Sequence, residues 1–152
     1  MNGHLRSAPG EGCPPRLVRA YAWWREKAGA RALPDRSDFD PTEIPDLMPH
    51  MVMWDVLPAG GYRCRLAGTR MVEIHGRGEL TGLSMAEFHG PANAEIQPDY
   101  DSVVATGLPH QVERTLYWLG RDHRRYARIL LPFTFGGTAV AIIANVAEFD
   151  GL

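Results

Sequence analysis

The sequence predicts an α+β fold: a five-stranded antiparallel sheet with short helices on one face and an N-terminal helix. Three observations carry this. First, the apolar run MVMWDV and the alternating run YRCRLAG are separated by the glycine turn AGG, the pattern of a β-hairpin. Second, residues 69–107 are cut into short stretches by Gly76, Gly78, Gly82, Gly90 and Pro98. Third, the chain beyond Leu108 holds three β-rich runs, LPHQVERTLYWL, RYARILLPFTF and TAVAIIANVAEF, joined by GRDHR and GG.

Residues 1–13 are rich in Gly, Pro and polar side chains and are expected to form a disordered tail. Residues 14–30 follow as an N-terminal helix. Pro14-Pro15 suits its first turn and Gly29 its end. Leu17, Tyr21, Trp24 and Ala28 form one helical stripe, and Val18 widens it. Trp23 stands about 100° round the helix from Trp24, so the two indoles cannot share one narrow face. Either the buried face is broad or one indole meets a second surface, such as a partner subunit.

Residues 31–152 make up the remaining domain. In its first hairpin Tyr62, Cys64 and Leu66 are expected on one face, with Arg63 and Arg65 on the other. TRMVEIHG reads as a short helix capped by Thr69 and stopped by Gly76. RGELTGLSMAEFHG reads as irregular with a short helical end. PANAEIQPDYDSVVATG reads as a helix broken or kinked at Pro98. TAVAIIANV is apolar on both alternating faces and MVMWDV nearly so. Both are therefore expected as central strands covered on both sides.

The totals bound the function. The 152 residues suit one domain, and a 45% hydrophobic content suffices for a core. A net charge of −2 gives no electrostatic reason to expect nucleic acid or an anionic membrane as partner. No apolar run approaches the roughly 20 residues that span a bilayer. The N-terminus lacks the apolar centre of a secretory signal. Cys13 and Cys64 are far apart and read as reduced thiols of a cytoplasmic protein.

The order helix, two strands, short helices, three strands resembles the PAS fold. The motifs tighten the match: LPDRSDFDPTEIPDLMPHMVMWDV, then YRCRLAGTRMVEIHGRGELTGLSM, is similar to an alphaproteobacterial PAS family (PAS_5-like). Pro34, Arg36, Phe39, Pro41 and Pro49, then Arg65, Gly68-Thr69 and Leu80-Thr81-Gly82, carry the likeness across residues 17–148. The resemblance implies that the first and fifth predicted strands are central neighbours. It implies a small ligand cavity between sheet and helices. It also implies a homodimer through the N-terminal helix, with Tyr21, Trp23 and Trp24 as contacts. Members of this group include stand-alone domains, so the output is expected in trans, through a signalling protein or self-association.

Within this frame LPDRSDFDP reads as a structural collar. Pro34 and Pro41 fix local φ, and Arg36 is expected to bond loop carbonyls or Asp38 and Asp40. The candidate cavity residues are Trp54, Met71, Ile74, His75, Met85, Phe88, Trp118 and Ile143, an apolar and adaptable set. The same residues could simply fill a core.

Other chemistry is weaker. His4, His50, His75, His89, His110 and His123 form no HExxH, and no cysteine pair completes a zinc site. His75 or His89 could ligate haem, but a structural histidine is the preferred reading. A flavin-adduct photosensor is rejected, because Cys64 lies in the strand YRCRL rather than in an asparagine-cysteine-arginine motif on a helix. Arg121, His123, Arg124 and Arg125 would form a basic hairpin tip, read as a solvated turn. Asp55 is the best candidate base for an isomerase-like enzyme, but no second catalytic group is placed near it by spacing. The expectation is a non-enzymatic sensory or protein-interaction module that binds a small ligand or a partner. The alternatives are that enzyme and a structural dimer with a filled core.

Overall fold

A helix of fourteen residues precedes the five longer strands of the sheet. The structure, a computed structural model, describes residues 3–5, 9, 12–116 and 121–150. A short strand β1 (Gly3–Leu5) precedes α1 (Pro15–Ala28). Pro15 supplies a fixed φ where no intrahelical N–H is needed, and Gly29 ends the helix at φ 61°. The buried face of α1 is broad: Leu17, Ala20, Trp23, Trp24 and Ala28 are all covered. It widens through Ala20 and Trp23, away from Val18, which is 47% exposed. Both indoles are thus seated in the chain's own core, and neither is left exposed for the dimer contact expected of them. Trp24 Nε1 donates to the Pro132 carbonyl at 2.7 Å. Trp23 wedges edge-on against Phe39, with ring centroids 5.7 Å apart, and packs beside Phe133.

Two short 3-10 turns, Arg36–Asp38 and Pro41–Glu43, then carry the chain across, each capped by an aspartate. The first is anchored to the far end of the sheet by a parallel bridge between Asp35 and Thr134. The Asp35 carboxylate accepts from Thr134 Oγ1 and the Gly136 amide, both at 2.7 Å, and from Ser37. These bonds hold its pKa well below the usual carboxylate range. Arg36 does not bond Asp38 or Asp40. Its guanidinium lies over the Phe39 ring at 5.5 Å, while Asp38 is held by Arg31 and the Asp35 amide. Adjacency favoured Arg36 for Asp38, but the capping turn aims that carboxylate elsewhere.

The hairpin is β2 (Met51–Val56) and β3 (Tyr62–Ala67). Register slips by one between Met53 and Trp54, so Val52 faces Ala67 while Trp54 faces Cys64. The bulge turns Leu66 to the α1 side, where it packs against that core, rather than beside Tyr62 and Cys64. At the end of β3 the backbone of Gly68 presses on the preceding loop. A Cβ there would lie 2.1 Å from the Met48 carbonyl oxygen, so only glycine fits.

Three helices follow: α2 (Thr69–His75), α3 (Met85–His89) and α4 (Asn93–Thr106). The residue capping α2 is Gly68, not Thr69. The start of α3 is closed by a capping box between Ser84 and Glu87. Pro98 lies inside α4, yet the helix is continuous; the proline stands exposed on its outer side. The remaining strands are β4 (His110–Leu116), β5 (Arg121–Phe133) and β6 (Ile142–Phe149). The segment read as a GRDHR turn is already strand from Arg121 onward, paired with Leu116.

The sheet order is β1-β4-β5-β6-β2-β3, with every pair antiparallel. The five expected strands are present, and the two most apolar, β2 and β6, are neighbours. A sixth strand is added at the edge: Gly3–Leu5, expected as mobile tail, pair with β4. The central strands bury both faces, which gives two cores. One holds Leu17, Ala20, Trp23 and Trp24 of α1 against Met51, Met53, Leu131, Phe133, Ala144 and Val146. The other lies between the sheet and α2–α4.

The two α1 indoles differ in a measurable way. Among the described residues Trp23 Nε1 has no hydrogen-bond partner, whereas Trp24 Nε1 holds a buried carbonyl. Trp24→Phe should therefore cost about 1–3 kcal/mol more than Trp23→Phe in urea unfolding, since it strands the Pro132 oxygen.

Candidate functional site

The layer between the sheet and α2–α4 is where most of the sequence-predicted cavity residues meet. Trp54 of β2 and Ile143 of β6 rise from the sheet. Met71 and Ile74 of α2 and Met85 and Phe88 of α3 come down on them. His75 lies edge-on against Phe88 at 4.3 Å. Trp54 is fully buried and touches Phe88 at 4.8 Å and Tyr100 at 6.0 Å, both edge-to-face. Trp118 lies outside the described residues. Among the described residues these side chains pack closely, around a cavity of about 20 Å³ bordered by Phe88, His89, Tyr100, Arg128 and Asn145. That is room for roughly one water. A haem or a flavin ring does not fit the space as packed.

The chemically loaded part of this layer is one the sequence reading missed. Arg128 sits in mid-β5 at 2% exposure, on the same strand face as Tyr126 and Leu130. Its Nη2 donates to Asp99 Oδ2 of α4 at 2.5 Å. Arg114 of β4 donates to the same oxygen at 2.5 Å and to Glu95 at 2.6 Å. Arg128 Nη1 lies 3.2 Å from His110 Nδ1. A guanidinium only donates, so that nitrogen is the acceptor and the imidazole proton sits on Nε2, which faces Asp99 Oδ1 at 3.8 Å. Arg128 also stacks over Tyr100 at 5.7 Å. Two residues on from Asp99, Asp101 accepts from Tyr62 of β3 at 2.7 Å. The sequence did hold one signal, a lone arginine inside the apolar strand YARILLPF.

Burial shifts the remaining titratable groups toward their neutral forms. His89 is driven down to about 3 and His75 to about 4, in each case chiefly by desolvation. The Cys64 thiol is pushed up to about 11 for the same reason, so it is not a thiolate at neutral pH. Tyr100 and Tyr62 are raised as well. Asp55, the candidate base, instead pairs with Arg65 at 2.9 Å across the hairpin. The spread cysteines and histidines make no metal cluster among the described residues. Of the expected basic tip, only the Arg125 side chain is described; it is exposed, 3.9 Å from Glu113.

Residues 14–143 match the family model described as PAS domain. The chain belongs to this PAS family. No curated protein matches it. Among solved structures, a single-substitution variant of RsLOV aligns at 19% identity and a TM-score of 0.47, over 73% of this chain and 68% of that one. The Rhodobacter sphaeroides LOV protein aligns at 16% identity and 0.41, over 74% and 69%. An RNA-binding light-oxygen-voltage receptor aligns at 14% identity and 0.47, over 96% of this PAS chain but only 37% of the receptor. No helix among the described residues is long and apolar enough to cross a membrane.

Two outcomes follow from the geometry of this PAS domain's helical layer. Asp99→Asn leaves Arg128 buried without its countercharge and should destabilise by about 3–5 kcal/mol in urea unfolding. The double variant Asp99→Leu with Arg128→Met should recover most of that loss, because the charge and its partner go together. Second, His75 and His89 have folded pKa values below the unfolded value of about 6.5. The unfolded chain therefore binds more protons over that window, and stability should fall as pH drops from about 6.5 toward 4. His89→Leu should flatten the decline, read as the urea midpoint against pH.

Proposed function

We propose that this PAS domain is a non-enzymatic interaction module that recognises a protein partner, rather than a receptor for a small molecule held inside it. The observation that carries this is the filled layer between the sheet and α2–α4. Where a PAS ligand would be held there is space of about 20 Å³. Recognition is then left to the outer surface. A depression of about 690 Å³ lies there, between α1, the end of α4 and the loop 134–141.

The chemistry of the site agrees. The buried charges are paired: Asp99 is shared by two arginines, and Arg128 divides its donors between Asp99 and His110. Asp55 is consumed by Arg65, and the Cys64 thiol is raised rather than activated. Such a network sets the position of α4 on the sheet rather than turning over a substrate.

Native mass spectrometry of the purified protein, followed by denaturing spectra of the same sample, tests the reading. The expected result is the chain mass or an integer multiple of it, unchanged in chain mass on denaturation. Extra mass of a few hundred daltons that is lost on denaturation would return the function to small-ligand sensing.

A further inference from the structure

We propose that the groove between α1, the C-terminal end of α4 and the loop 134–141 is a docking site for a partner-protein segment in which apolar side chains flank a carboxylate. This rests on the interaction-module reading and names its surface. The floor of the groove is Leu33, half-buried and packed against both cores. Its walls carry Val104 and Leu108 on one side and Val140 on the other. Leu108 is 42% exposed, one of few large apolar side chains left in water among the described residues. A second depression of about 530 Å³ continues past Leu33 and Thr138, along Arg31, Asp35 and Thr134.

Shape argues for a chain segment over a small molecule. A small ligand is usually enclosed over most of its surface, whereas this groove is open and runs over a ridge into the second depression. Charge decides what the segment carries. Asp35, the carboxylate among the lining residues, is saturated by Thr134, Gly136 and Ser37. Arg31 is bound to Asp38 and to the carbonyls that end α1. Arg25 lines the groove from the exposed side of α1 and has no ion pair among the described residues. The groove therefore offers apolar walls and one uncommitted guanidinium, which a carboxylate complements.

The consequence is mechanical. A segment seated on Leu33 presses at once on the core under α1 and on the core under α4. It would join the two layers through Leu33, which packs against both.

The test is selection of a random peptide display library on the intact protein, with affinities of the enriched peptides measured by titration. Arg25 and Leu108 are exposed, so Arg25→Glu and Leu108→Asp should leave the fold intact. Enriched peptides should pair an acidic residue with apolar ones, and either substitution should weaken them at least about tenfold. Exchanging the peptide's acidic residue for lysine should restore binding to the Arg25→Glu variant and not to the parent. Peptides that bind both variants as well as the parent would lie elsewhere; they would overturn the groove and leave the interaction reading standing. Failure to enrich any peptide would overturn both. Concentration-dependent self-association abolished by Leu108→Asp would seat a second copy there and overturn the partner assignment.

Discussion

The structure depends on where it has placed one guanidinium. An arginine stays charged at any pH the fold survives, and Arg128 is set in the middle of β5 at 2% exposure. Left alone there, its desolvation would cost several kcal/mol. Asp99 answers it from α4, and His110, constrained to accept, takes a second donor. Because Asp99 also binds Arg114, one carboxylate joins α4 to two adjacent strands. Tyr62 with Asp101 adds β3, on the far side of the sheet. The position of α4 is thus fixed by directional polar bonds near its middle, supported by few buried apolar residues: Ile96, Tyr100 and Val103. Lifting α4 from the sheet would strand these buried charges.

The opposite face of the sheet is held differently. There α1 lies on apolar side chains from β2, β5 and β6, with Trp24 bonded to the Pro132 carbonyl, Arg16 paired with Glu148 of β6 at 2.6 Å and Lys27 paired with Glu43. Pro132 can occupy a strand because β4 ends its pairing at Leu130, so no ladder bond from β4 is lost at that point. Apolar contact is non-directional and permits small sliding where ion pairs do not. Leu33 touches both layers.

Much of this was legible in the residues. Apolar runs on both alternating faces marked β2 and β6 as central, and the glycine punctuation marked the short helices. The candidate cavity residues that are described, Trp54, Met71, Ile74, His75, Met85, Phe88 and Ile143, do gather in one layer, because strand and helix periodicity orient side chains even when distances are unknown. What escaped was set by contacts across the fold. The bulge at Met53/Trp54 reversed Leu66, and no local signal announces a bulge. Val18 and Trp23 compete for the edge of the α1 stripe. The outcome turns on Phe39 and Phe133, which come from distant segments and pack against the Trp23 indole. The pairing of Arg128 with Asp99 spans 29 positions. The arginine was conspicuous in its strand, but its partner could have been any of several acids on α4. Whether the cavity set encloses space or fills it depends on packing to within a side chain's width, which composition does not encode.

That last point bears on function. A PAS fold with room inside can respond to a ligand by moving the layer that covers it. Here the interior is occupied by Trp54, Phe88, Tyr100 and the Arg128 network, and the layer is bolted to the sheet by charge. A signal that entered through this interior would first have to break buried ion pairs, at several kcal/mol each. A signal that enters at Leu33 acts instead at the seam where the two cores meet, on a side chain packed against both. On this reading the fold keeps the architecture of a sensor and shifts its input from the inside to the seam between its two cores.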